Sequence, residues 1–144
     1  MNFDFASIQD IDSWMELLEL VKDSFPGLDQ DAYKTGLYES ILRKEALVAK
    51  KDGLTIGTLV FSYENKDLIF LAVHPNYRKM EIAQNLLKKM ASLFSKGTQI
   101  SVITYREGDP QGLAARNLYL NFGFQCGEFL VMFDYPCQKM TFIV

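Results

Sequence analysis

Apolar positions along the chain alternate between the spacing of helices and that of strands. Phe3 and Phe5 flank Asp4 as in a short strand, and Asp10 and Asp12 then supply helix-start chemistry. Ile11, Trp14, Leu17, Leu18, Val21 and Phe25 recur at helical intervals until Pro26 and Gly27 stop the helix. A second helix is predicted from about residues 29–31 to Lys44, with Tyr33, Leu37, Ile41 and Leu42 on one face. From Ala46 the period becomes that of strands. Asp52-Gly53 between two apolar runs predicts a hairpin, because both residues tolerate positive φ. After a turn at 64–66, Leu68, Ile69, Phe70, Leu71, Ala72 and Val73 form a run without polar alternation. Such a strand is covered on both faces and belongs at the centre of a sheet.

A helix is predicted over 81–94, with Ile82, Ala83, Leu86, Leu87, Met90 and Ala91 inward. Lys96 and Gly97 break it, and Ile100, Val102 and Ile103 make the next strand. A strand–helix–strand unit of this length returns parallel to its first strand by a right-handed crossover. The loop 107–112 opens a helix that carries Leu113, Ala114, Leu118 and Tyr119, with Gly123 placed to cap it. Two last strands, about 124–134 and 139–144, flank a turn expected at Pro136.

Composition narrows the class. At 144 residues, 49% hydrophobic and 23% charged, the chain makes one globular domain, 1–144, with a single core. A net charge of −3 without a dense run of Lys or Arg argues against nucleic acid and anionic membrane as partners. No apolar run approaches the ~20 residues of a bilayer span, and the chain reads as cytoplasmic. Cys126 and Cys137 form no Cys-x-x-Cys pair and accompany a single His, so no metal site is expected.

The chemistry concentrates between Leu71 and Gln84. A buried strand ends at Val73, a loop with Pro75, Arg78 and Lys79 follows, and a helix opens near Glu81. Unpaired N–H groups and the dipole make a helix N-terminus an anion site. Taken alone, Arg78 and Lys79 more often mark solvated surface than a phosphate site. Val73, Arg78, Glu81 and Ala83, however, follow the spacing of a family signature, a strand ending in valine, then Arg or Gln, two residues, Gly, one residue, and Gly or Ala. Ala115, Leu118, Tyr119, Gly123 and Phe124 match a second motif of the same family. In these two stretches the chain resembles the GNAT family of N-acetyltransferases, which move an acetyl group from acetyl-CoA to an amine. Two positions depart from the pattern: Glu81 stands where the family has its first glycine, and Gly112 where it has an asparagine.

The resemblance implies a mixed, mostly antiparallel sheet with one parallel strand pair at its centre and about four flanking helices. It implies acetyl-CoA as co-substrate. Its pyrophosphate would lie on the backbone of Arg78, Lys79, Met80, Glu81, Ile82, Ala83 and Gln84, and its pantetheine arm along Leu71, Ala72 and Val73. By the same analogy Tyr119 would protonate the leaving thiolate, a backbone N–H near Val73 would hold the oxyanion, and Asp67 or Glu64 would be the base. The resemblance likewise implies that His74, with Pro75, would be part of the loop scaffold and not catalytic. The acceptor amine, unidentified, would enter between 24–30 and 134–138, where Phe25, Tyr33 and Tyr38 make the surroundings aromatic. A homodimer is left open. The alternative reading is a catalytically degenerate relative that serves as an acyl-CoA-binding or protein-interaction module, which the departures at Glu81 and Gly112 favour.

Overall fold

The computed structural model describes residues 1–78 and 81–144, so the expected cradle residues Lys79 and Met80 lie outside the described residues. One seven-stranded sheet runs through the molecule. Its strands are β1 (Asn2–Phe5), β2 (Ala46–Lys51), β3 (Leu54–Ser62), β4 (Asp67–Val73), β5 (Gln99–Tyr105), β6 (Gln125–Met132) and β7 (Tyr135–Ile143), in the order β1-β2-β3-β4-β5-β7-β6. Only β4 and β5 are parallel among these pairs, and β4 takes the central place that its unbroken apolar run predicts. The helices are α1 (Ile11–Val21), α2 (Gln30–Leu42), α3 (Ile82–Ser92) and α4 (Leu113–Phe122).

Two cores sandwich the sheet. On one face Trp14, Leu17, Leu18 and Val21 of α1 join Leu37 and Ile41 of α2 over Val48, Val60, Phe70 and Ala72. On the other, Ile82, Leu86, Leu87 and Met90 of α3 and Tyr119 of α4 cover Leu47, Leu59, Leu68, Ile100, Val102 and Met140. Gly57 lets α3 come close to β3: a Cβ there would sit 2.7 Å from Cγ2 of Ile82. Among the described residues no helix is long and apolar enough to cross a membrane.

Two details correct the sequence reading. The last hairpin does not turn at Pro136. Its two-residue loop is Phe133-Asp134, both at positive φ (51° and 61°), and Met132 pairs with Tyr135. Pro136 lies inside β7, opposite Val131 and beyond the last β5 partner, Tyr105 opposite Cys137, so no ladder bond requires its missing N–H. Tyr38 does not join an aromatic wall with Phe25 and Tyr33. It lines an open hollow of about 470 Å³ between α2 and the start of α1, with Ile11, Asp31 and Lys34.

Candidate active site

The sheet opens at its centre. β4 and β5 pair only at Asp67 with Ser101 and at Leu68 with Val102. On its other side β4 carries a bulge: Phe61 pairs with Leu68 and Val60 with Phe70, which leaves Ile69 unpaired and exposed. The extra residue bends and twists the strand. Beyond Leu68 the two parallel strands therefore separate, and the edge of β4 from Ile69 to Val73 has backbone groups free toward the gap.

The gap leads to the N-terminus of α3. His74 shapes the turn between them: its Nδ1 accepts from the Asn76 N–H at 3.1 Å, its ring meets Tyr77 edge-on, and its own N–H donates to the Ile56 carbonyl. Arg78 folds back, its Nε donating to the Val73 carbonyl at 3.4 Å. The first helical bond of α3 runs from the Asn85 N–H to the Glu81 carbonyl, so the N–H groups of Ile82, Ala83 and Gln84 have no partner within the helix. Glu81 is the N-cap itself, in left-handed backbone at φ 59°, with its exposed side chain bonding none of these amides. That is the conformation a glycine adopts freely.

At the closed end of the gap stand the titratable groups. Asp67 begins β4, and its Oδ1 is buried without a hydrogen-bond partner. Burial raises its pKa above the ordinary carboxylate value and the nearby Glu45 carboxylate adds to this, while its own backbone N–H pulls the other way. Glu45, a residue the sequence did not single out, is buried before β2 and held by Arg43 Nε at 2.7 Å and the Tyr63 N–H at 2.8 Å. Glu64 lies exposed in the turn before β4, two residues past the end of β3. Tyr119 faces the α3/α4 side, in the cluster that also contains Leu68 and Val102, with its ring 5.4 Å from that of Phe124. Burial pushes its phenol well above the ordinary tyrosine range, so it is protonated at neutral pH.

Helix α4 is fixed by two residues whose roles a sequence pattern hides. A Cβ at Gly112 would lie 2.4 Å from the Tyr105 Cβ, so β5 and the start of α4 meet too closely for an asparagine there. Arg116 is buried and donates to the Tyr105 carbonyl (2.9 Å), Gln138 Oε1 (2.7 Å) and Cys126 Sγ (3.4 Å), tying α4 to β5, β7 and β6. On the α1/α2 side, Phe25 and Tyr33 pack on Phe70 of β4 with ring centroids 4.5 and 5.1 Å away. Tyr33 is locked there because its hydroxyl accepts from Trp14 Nε1 at 2.8 Å.

The comparisons with known proteins agree with this geometry. The sequence profile of the acetyltransferase (GNAT) domain matches residues 43–126. Among curated protein sequences there is no significant match. Of the solved structures, a GNAT-family acetyltransferase from Bacillus cereus is 20% identical, with 99% of this chain and 96% of that chain covered and a TM-score of 0.77. Ard1 from Thermoplasma volcanium is 18% identical over 99% and 97%, with a TM-score of 0.78. An aminoglycoside 6'-N-acetyltransferase complexed with coenzyme A is 17% identical over 99% and 97%, with a TM-score of 0.72. At these identities the likeness is one of fold.

Proposed function

The chain belongs to the GNAT acetyltransferase family, and from that premise we propose that it is an acetyl-CoA-dependent N-acetyltransferase. It moves an acetyl group to the primary amine of a small molecule or protein by direct attack on the thioester, as one cytoplasmic domain spanning 1–144. The observation that carries this reading is the opening between β4 and β5 beyond Leu68 and Val102, with a half-buried carboxylate where it closes and, past its other end, a helix whose first amides have no partner within the helix.

Acetyl-CoA, when bound, supplies the activated acetyl thioester. The amides of Ile82, Ala83 and Gln84, with the Arg78 cation beside them, bind its pyrophosphate. Leu71, Ala72 and Val73 hold the amide-bearing arm as a neighbouring strand would. A base, an acid and an oxyanion donor must converge on one carbon. With about 3.3 Å of rise per residue, Asp67 is ~7 Å from Ile69 but ~20 Å from Val73. A β4 backbone amide just past Leu68, where β5 no longer pairs, is therefore a better placed oxyanion donor than the Val73 amide. Asp67, made more basic by burial, takes the ammonium proton, and the protonated Tyr119 donates to the departing sulfur. Glu64, exposed in its turn, has no part in this scheme.

Thermal shift with acetyl-CoA tests the binding half. At a hundredfold excess over Kd the ligand adds about 2.7 kcal/mol, which for a domain of this size is a rise of roughly 5–10 °C. No shift at millimolar acetyl-CoA sinks the proposal. Thiol release across an amine panel tests the chemical half, and Tyr119→Phe is expected to lower turnover while leaving CoA affinity unchanged. Equal turnover in that variant removes Tyr119 from the mechanism. The second reading, a degenerate acyl-CoA-binding module, is favoured by Glu81 at the mouth of the phosphate site, and a shift without thiol release from any amine supports it.

A further inference from the structure

The outer edge of the sheet is unlike the rest of the surface. β6 is the last strand, and its upper half carries Phe129 at 65% exposure and Val131 at 61%, followed by Phe133 in the turn at 98%. Phe133 bears two local costs together. Its backbone has φ 51° at the first position of a two-residue turn where Asn or Gly belongs, and its whole ring is in water. Among the described residues nothing covers the ring, so its cover is sought outside the chain.

The strand's own geometry states what fits. In a two-residue hairpin the residues flanking the loop form a hydrogen-bonded pair, here Met132 with Tyr135, and such pairs alternate along the ladder. Leu130 and Cys137 are the next hydrogen-bonded pair, which turns the N–H and C=O of Phe129 and Val131 outward. An antiparallel partner must present outward groups at the same spacing with side chains on the same face. A second copy of β6 does both when a twofold axis passes through Leu130. Phe129 of each copy then forms a hydrogen-bonded pair with Val131 of the other, giving four backbone bonds, and all four side chains lie on one face. The only charged side chain of the strand, Glu128, falls opposite Met132 and not opposite itself. Phe133, in the turn past this ladder, then lies toward the other copy's bulge between Cys126 and Phe129, beside a hollow of about 340 Å³ formed by the loop 107–110, α4 and Cys126, with Leu113 and Leu120 as its apolar part. At ~150–250 Å² for each aromatic side chain, Phe129 and Phe133 of the two copies together cover at most about 600–1,000 Å², which with the four backbone bonds reaches the range of a weak specific interface.

We propose that β6 is a self-complementary edge through which two copies of this chain join into one continuous sheet, with Phe133 as the anchor seated over the other copy's α4–β6 hollow. This does not depend on the acetyltransferase reading.

Equilibrium sedimentation from micromolar to near-millimolar chain is expected to give twice the chain mass, and Val131→Lys to give the monomer. A monomer at every concentration, as an unrelated peptide partner for this edge would leave it, overturns the proposal. So does a dimer that Val131→Lys leaves intact. The register is tested by Leu130→Cys in a Cys126→Ser, Cys137→Ser background. Residues facing across the axis in a non-hydrogen-bonded pair have Cα atoms about 4.5 Å apart, within disulfide reach, so oxidation is expected to give a covalent dimer. Glu128→Cys in the same background is the control and is expected to stay uncrosslinked. Crosslinking of both variants alike, or of neither, overturns the twofold at Leu130.

Discussion

Glu81 and Asp67 each carry a local cost, left-handed backbone in one and a buried, unbonded carboxylate oxygen in the other, and both stand in the gap between β4 and β5 or at its mouth. A side chain in left-handed backbone costs about 1–2 kcal/mol, part of which glycine would return as lost chain entropy. Glu81→Gly is therefore expected to raise the melting temperature by a few degrees at roughly 2–4 °C per kcal/mol. Removing the carboxylate beside two phosphates is expected to tighten CoA binding about fivefold, or roughly 1 kcal/mol; unchanged affinity by calorimetry means the side chain faces away from the ligand. The sequence marked Glu81 as a departure from the family spacing, and the structure supplies the reason a glycine belongs there. It did not mark Glu45, because the sheet alone brings it next to Asp67, 22 positions away in the chain.

At the scale of elements, most strands and helices were legible because their punctuation is local. Asp52-Gly53 forms its hairpin, with φ 52° and 79°, and Gly123 caps α4 at φ 119°. The last hairpin was not legible: Phe133-Asp134 has no turn signature, and Pro136 nearby is a false one. The bulge at Ile69 was equally hidden, since an unbroken apolar run contains no sign of the residue that loses its partner. Gly112 looked like a lost functional asparagine, yet its role is close approach to Tyr105. Gly112→Ala is expected to destabilise the chain by about 1–3 kcal/mol through overpacking, with the urea midpoint as readout. An unchanged midpoint would mean that β5 and α4 have room to part.

For the molecule as a whole, two carboxylates give stability opposite slopes with pH. Asp10 is held below the ordinary value: burial opposes this, but Lys50 and the Ser7 N–H and hydroxyl outweigh it. Its contribution is present above its ordinary pKa and lost as pH falls through the depressed one. Asp67 is raised, so its contribution is full below its ordinary pKa and lost as pH climbs through the raised one. Melting temperature is therefore expected to decline as pH rises above the ordinary carboxylate value, and Asp67→Asn to remove that decline, keep the acid limb and abolish most turnover. The same decline in the variant would clear Asp67 of the effect. The seam at Leu68 and Val102 reaches further still. Among the described residues only two pairs join β4 to β5, so the two halves of the sheet are held together chiefly by the α3/α4 core, which packs on strands of both. A molecule lying in the gap and bonded to both strands would act as a clasp across this seam.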